Sequence, residues 1–306
     1  MNLGKFADEL SEQIQYRPLK TVPWLGIRLY ERFLARRFSS LDLDRTHVYE
    51  REWDVLVVLD ACRLDLIEGV DSDYPFLGRG GSVVSVGATS STWMRRTFTS
   101  EYEEKIAETA YVNANPHSEF ELDPNDFSLL DDIWRYAWDD ELGTVPARPV
   151  TDRAVSTWRE ESPSRMIVHY MQPHAPFVND REFASGIDID RVGQEWTGNV
   201  WDRLRRGEVS ERRVWEGYGD NLRYVLDDVS LLLNSIDADT VVITADHGNG
   251  LGEFGFFGHN PTVIPSVVRV PWYTTNARDS GEYTPTRQRQ RGDAKVHSRL
   301  ESLGYA

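Results

Sequence analysis

Three apolar runs organise the chain, and each stops at side chains able to do chemistry. Residues 55–59 (Val-Leu-Val-Val-Leu) end in Asp60, residues 166–171 enter Gln172-Pro-His-Ala-Pro-Phe177, and residues 241–245 end in Asp246-His247. Short uninterrupted runs rich in β-branched residues read as strands buried on both faces, the pattern of a parallel sheet. A less regular run over 82–87 leads into Ala88-Thr-Ser-Ser-Thr-Trp93, with a helix predicted from Met94. Leu222, Val225, Leu226, Val229, Leu232, Leu233 and Ile236 recur at helical spacing and predict a long amphipathic helix feeding the strand at 241. Together these predict an α/β fold.

The remaining segments are weaker. A short strand is expected around Tyr111, running into the loop Asn113-Ala-Asn-Pro116. A helix is expected over 151–161 with Thr151 or Asp152 as its cap, and a late strand over 267–272. The acidic, Trp-containing stretch 131–140 reads as an insertion over the sheet. The polar stretch 178–215 reads as a lid or substrate-facing insertion, the tail 274–292 as flexible, and 294–303 as a closing helix. Residues 1–45 are expected to form an N-terminal helical extension before a single catalytic domain over 46–306. Its apolar positions, among them Leu25, Leu29 and Phe33, oppose Arg28, Arg32, Arg36 and Arg37. That segment packs across the domain or, in the alternative, lies on lipid through residues 24–38 as a peripheral membrane contact.

Charge narrows the partners. With 34 basic and 50 acidic side chains, the formal net charge of −16 opposes binding to nucleic acid or to an anionic bilayer. It suits a protein adapted to high salt, and it weighs against the lipid reading of 24–38. The lone cysteine, Cys62, excludes an internal disulfide and a multi-cysteine zinc site. The charged first residues lack the pattern of a secretory signal, and no run of about 18 apolar residues is present. The expected location is the cytoplasm, with the inner membrane face as the variant that 24–38 would allow. No residue dictates an oligomeric state.

The strand ends carry the chemistry. Asp60, His174, Asp246 and His247 arrive at the carboxyl edge of the sheet, where open α/β folds keep their sites. A loop containing Gly248, Gly250 and Gly252 then brings His259. Asp60 read alone is equally a helix cap, and a lone histidine is usually structural, but His174 is fixed between two prolines. Carboxylates and imidazoles together suit a divalent cation of the zinc, manganese or magnesium type, one or two per chain. The hydroxyl cluster 89–92 sits at a strand-to-helix junction, where it is either a cap or a nucleophile beside the helix N-terminus. A cation beside such a hydroxyl makes its alkoxide accessible near neutral pH. Arg95 and Arg96 follow, and Arg63, Arg95 and Asn249 are the candidates for contact with an anionic substrate.

Four stretches carry a resemblance: Val57-Val-Leu-Asp-Ala-Cys-Arg-Leu-Asp65, the cluster 89–92, His169-Tyr-Met-Gln-Pro-His-Ala-Pro-Phe177, and Thr244-Ala-Asp-His-Gly-Asn-Gly-Leu-Gly-Glu-Phe-Gly-Phe-Phe-Gly-His259. They resemble the alkaline phosphatase superfamily on its sulfatase-like branch, and the closing Arg299-Leu-Glu-Ser-Leu-Gly-Tyr305 is similar to the end of many such chains. The resemblance covers about residues 50–306. It implies a three-layer sandwich with a mostly parallel central sheet and helices on both faces. It also implies that Asp60, Asp246 and His247 bind the metal beside the nucleophile, while His174 and His259 bind a second metal or the oxygens of the transferred group. Sulfatase-like chains place a Thr nine residues beyond the nucleophile; Thr99 stands nine beyond Ser90, which makes Ser90 the choice and Thr89 the reserve.

Two departures shape the functional expectation. The formylglycine motif of sulfatases, Cys/Ser-x-Pro-x-Arg, is not met by Ser90-Ser-Thr-Trp-Met94, so an unmodified Ser90 favours phosphoryl over sulfuryl chemistry. Asp60 stands alone where many sulfatases carry two adjacent Asp, which favours a transition metal over calcium. The leading expectation is a metal-dependent hydrolase or transferase of phosphate esters working through a covalent phospho-enzyme, on a sugar phosphate, glycan or lipid head group. A sulfatase acting on sulfated carbohydrate is the second expectation. The third is a catalytically inactive sulfatase-like binding protein.

Overall fold

A computed structural model describes residues 44–78, 80–180, 199–259 and 263–286. Residues 1–43 of the expected N-terminal extension 1–45, residues 181–198 of the expected lid, the closing helix and the 299–305 motif lie outside the described residues.

Seven strands form one sheet. In chain order they are β1 (Val55–Leu59), β2 (Gly81–Val84), β3 (Thr109–Asn113), β4 (Leu129–Asp132), β5 (Arg165–Tyr170), β6 (Ala238–Thr244) and, after a two-stranded ribbon β7 (Gly250–Leu251) and β8 (Phe257–Gly258), β9 (Arg269–Ala277). Across the sheet the order is β2-β9-β6-β1-β5-β3-β4. β9 runs antiparallel to both of its neighbours, and every other pairing in this sheet is parallel. This is the mostly parallel α/β sheet expected from the sequence.

Alternation along the central strands builds the two cores. Val55, Val57 and Leu59 of β1, with Met166 and Val168 of β5 and Val241 and Ile243 of β6, face one cluster. Leu56, Val58, Ile167 and Val242 face the other. Successive side chains on a strand point to opposite faces, so a strand with no polar alternation must be covered on both. Among the described residues, three helices of eight residues or more do much of the covering: α1 (Ser90–Thr97), α2 (Ala147–Glu161) and α3 (Glu211–Leu233). Val150, Ala154 and Val155 of α2 and Leu222, Val225, Leu226 and Val229 of α3 join the first cluster, whereas Trp93 and Met94 of α1 join the second.

The sequence-based boundaries shift in four places. The helix expected from Met94 begins at Ser90, because the Thr89 side chain accepts from the Thr92 amide at 3.2 Å and caps it there. The helix expected from Thr151 begins at Ala147, after Pro146, a residue with no amide hydrogen to leave unsatisfied. Thr151 is instead buried, with its hydroxyl 2.9 Å from that of Tyr170. The stretch 131–140, expected as an insertion, contributes its first residues to edge strand β4, where Asp131 is ion-paired with Arg153. An edge strand with one neighbour needs no continuous apolar run, which is why Leu-Leu-Asp-Asp concealed it. The expected late strand extends to Ala277, and the Arg278 amide continues the ordered path with a 2.9 Å bond to Leu233 O, where flexibility was expected from 274.

Gly87 sets how closely α1 approaches the sheet. A Cβ at this position would lie 2.5 Å from the Trp93 backbone nitrogen and 2.6 Å from its Cα, distances a side chain cannot occupy. Gly87→Ala is therefore expected to push α1 outward and to cost about 1–3 kcal/mol, read as a lowered melting temperature in thermal denaturation. An unchanged melting temperature would show that α1 is free to move.

Candidate active site

Four neighbouring parallel strands deliver the site. β6, β1, β5 and β3 lie side by side, and their carboxyl ends lead to Asp246-His247, Asp60, His174 and Asn115 respectively. The ligand atoms of Asp60, Asp246 and His247 lie within 4.8 Å of one another, and all three residues are buried. The convergence expected from the strand ends is therefore present in three dimensions.

Hydrogen bonding leaves one face of this trio bare. Asp246 Oδ1 accepts from the amides of Ala61 at 3.0 Å and His247 at 2.8 Å, while Asp60 Oδ2 accepts from Asn115 Nδ2 at 2.6 Å. The other oxygens, Asp60 Oδ1 and Asp246 Oδ2, are buried without a hydrogen-bond partner. His247 Nδ1 lies 2.8 Å from Gly248 O, which can only accept, so Nδ1 carries a hydrogen and Nε2 is the nitrogen turned toward the two carboxylates. That Nε2 is 3.7 Å from Asp60 Oδ1 and 3.4 Å from Asp246 Oδ2. Three potential ligand atoms thus face one another in a buried site, a donor set that fits a divalent cation.

The acid–base balance agrees. Burial, and after it the Asp246 carboxylate, raises the Asp60 pKa well above the ordinary range. Burial works against charge on Asp246 too, but His247, His169 and the Ala61 amide outweigh it and hold the pKa low. The protein alone keeps one charge in the pair; two carboxylates this close need a cation to ionise together.

Ser90 is the hydroxyl turned toward the trio. Its Oγ lies 3.3 Å from His247 Nε2 and 3.4 Å from Asp60 Oδ2, at the first turn of α1. Thr89 caps the helix and donates its hydroxyl to Thr92 Oγ1 at 2.9 Å, so it faces along α1. Behind the trio stand further imidazoles. The His259 ring centroid is 4.5 Å from that of His247 and 5.0 Å from that of His174. Burial, then His247, lowers the pKa of His174 to about 4 and that of His259 well below its ordinary value, so both rings are neutral. His174 is held from behind by Asn221 of α3, whose Nδ2 donates to His174 O at 3.0 Å.

The expected substrate contacts are engaged by the protein itself. Arg63 donates to both oxygens of Asp65, to Glu253 Oε1 at 2.7 Å and to Asn249 O at 2.7 Å. It clamps the glycine loop to the end of β1. Arg95 is ion-paired with Glu121 and exposed, and Arg96 donates to Val86 O at 2.7 Å. Asn249 bridges Tyr218 and His259. Two neighbours of the trio escaped the sequence reading. Asn115 holds Asp60, and His117 is close enough to His247 for their charges to interact. The available signal was Asn113-Ala-Asn-Pro-His117, a polar run at the end of another parallel strand.

No family model matches the sequence, and no curated protein does. Solved structures do. The soluble domain of lipooligosaccharide phosphoethanolamine transferase A from Neisseria meningitidis aligns at 12% identity over 72% of this chain and 75% of that one, with a TM-score of 0.43. The C-terminal periplasmic domain of EptC from Escherichia coli, solved in complex with Zn, aligns at 12% identity over 77% and 76%, with a TM-score of 0.46. A 2-O GAG sulfatase aligns at 12% identity over 72% of this chain but only 63% of its own length, with a TM-score of 0.45. Among the described residues no helix is long and apolar enough to cross a membrane.

A bare cluster of acceptors predicts metal-linked stability. Zinc added to chelator-treated protein at about 100 times its dissociation constant should stabilise the fold by roughly 2.7 kcal/mol, raising the melting temperature by several degrees. Asp60→Asn or His247→Ala should remove the shift. A shift that persists in both variants would place the ion elsewhere.

Proposed function

We propose that the protein is a metal-dependent enzyme acting on phosphate esters, a hydrolase or transferase, with Ser90 as its nucleophile. The observation that carries this reading is the position of one hydroxyl beside three converging acceptors, on the first turn of a helix. When bound, a divalent cation would lower the hydroxyl's pKa and screen the charge of the group in transfer. Asp60 Oδ1, Asp246 Oδ2 and His247 Nε2 are the atoms that would hold it; the donor set of two carboxylates and an imidazole favours zinc or manganese.

The chain's own residues account for the rest of the step. Ser90 Oγ attacks phosphorus, forming a serine–phosphate bond as the bond to the ester oxygen breaks, and that oxygen leaves with the bonding electron pair and takes a proton from solvent. The serine proton passes toward Asp60 Oδ2, the oxygen it already faces. Neutral His174 and His259 flank the position where oxygens of the transferred group would lie. A water or an acceptor alcohol then attacks the phosphoserine and frees Ser90. A sugar phosphate, a glycan phosphate or a lipid head group fits this chemistry.

Rates on p-nitrophenyl phosphate, bis-p-nitrophenyl phosphate and p-nitrophenyl sulfate, with Ser90→Ala as control, test the reading. The phosphate esters should be turned over, with Ser90→Ala slower by roughly 10³-fold or more. Mass spectrometry of acid-quenched enzyme should find phosphate on Ser90. Turnover of the sulfate with formylglycine at position 90 would establish a sulfatase instead, and equal rates for wild type and Ser90→Ala would remove Ser90 from its role.

A further inference from the structure

A directed chain of hydrogen bonds runs from the end of β1 to His259. The Tyr218 hydroxyl, on α3, donates to Ala61 O. Asn249 Nδ2 lies 3.1 Å from Tyr218 Oη, and Asn249 Oδ1 lies 3.0 Å from His259 Nδ1. Asn249 is fully buried, and Tyr218 is as well.

The direction of the whole chain follows from its first member. A carbonyl oxygen only accepts, so the one hydrogen on Tyr218 Oη is committed to Ala61. Tyr218 Oη must then accept from Asn249, which fixes the carboxamide with its NH₂ toward Tyr218 and its oxygen toward His259. A carboxamide oxygen also only accepts. His259 Nδ1 must therefore carry a hydrogen.

From this polarity we infer that Asn249 and Tyr218 are positioning residues that set the tautomer of His259, so that Nδ1 is protonated and Nε2 presents its lone pair. A histidine that binds a cation or accepts a proton depends on which nitrogen is bare, and the partner of the other nitrogen decides that. The inference deepens the functional reading above, on which the use made of the Nε2 lone pair rests; the polarity itself holds whether or not the site turns over. It also gives Asn249 a different task from the substrate contact expected of it.

Ala61 makes the chain part of the site rather than a remote brace. It has a φ of 59°, a left-handed conformation rarely adopted by a residue with a side chain. Its amide donates to Asp246 Oδ1 at 3.0 Å while its carbonyl receives Tyr218. The same residue therefore orients a carboxylate of the trio and anchors the polarity that reaches His259. Arg63 holds the Asn249 backbone in place from the other side, by its 2.7 Å bond to Asn249 O.

Nitrogen-15 NMR of the full-length, metal-free protein with labelled histidine tests this without any turnover. The chain has seven histidines, and the His259 signals are identified by their loss in His259→Gln. Wild type should show a proton on Nδ1 and a downfield, lone-pair resonance for Nε2. Asn249→Asp, which keeps an acceptor facing His259, should retain that pattern. Asn249→Leu and Tyr218→Phe should release it toward a proton on Nε2 or a mixture of the two forms. A proton on Nε2 in the wild type, or the wild-type pattern persisting in folded Asn249→Leu, would overturn the inference. Failure here with activity intact would remove the relay alone, and a correct tautomer with no activity would remove the enzymatic reading alone.

Discussion

Repulsion between two buried carboxylates is the constraint on which the site depends. Asp60 and Asp246 offer oxygens within 4.8 Å of each other, inside a core with almost no solvent contact. At an effective dielectric of about 20, two full charges at that separation would repel by about 3–4 kcal/mol, which is why only one of the pair is charged without a cation. Each carboxylate has one oxygen well satisfied and one bare, and the bare oxygens share the same space with His247 Nε2. A core evolved for stability alone would have no use for this arrangement. A core that takes up a cation needs it.

The sheet is what holds the two carboxylates side by side. β6, β1 and β5 are central and paired in parallel register, so their ends project Asp246, His247, Asp60 and His174 from a rigid edge. Covering both faces commits Val57 to one core and Val58 to the other, and the position of Asp60 follows from them. Ser90 comes from a different source, the first turn of a helix pressed so closely on Gly87 that a methyl group would not fit. Ser90 and the acceptors are thus placed by independent parts of the fold, both fixed by packing.

What could be read from the sequence follows from this division. Asp60, His174, Asp246 and His247 were legible because each terminates an apolar run, and a run of that kind marks a parallel strand whose end lies at the ligand edge. Asn115 and His117 were not, because Thr109–Asn113 is a strand of mixed polarity, so its end did not stand out. Edge strand β4 was concealed for a related reason, its aspartates being satisfied by Arg153 and Arg135 rather than by water. The helix start at Ser90 turned on whether Thr89 caps, which the hydroxyl cluster alone left open. Arg63 and Asn249 could be placed near the site by their motifs, but only the coordinates show that Asp65, Glu253, Tyr218 and His259 engage them. Spacing locates residues; which partner satisfies each polar atom depends on contacts set by the fold, such as the one between Arg63 and Glu253, 190 residues apart.

Anomalous X-ray diffraction from crystals of the zinc-treated protein tests the central claim most directly. The account predicts one strong peak bonded at about 2.0–2.2 Å by Asp60, Asp246 and His247, with Ser90 Oγ adjacent. A peak bound by other residues, with Asp60 Oδ1 and Asp246 Oδ2 still facing each other across empty space, would contradict it.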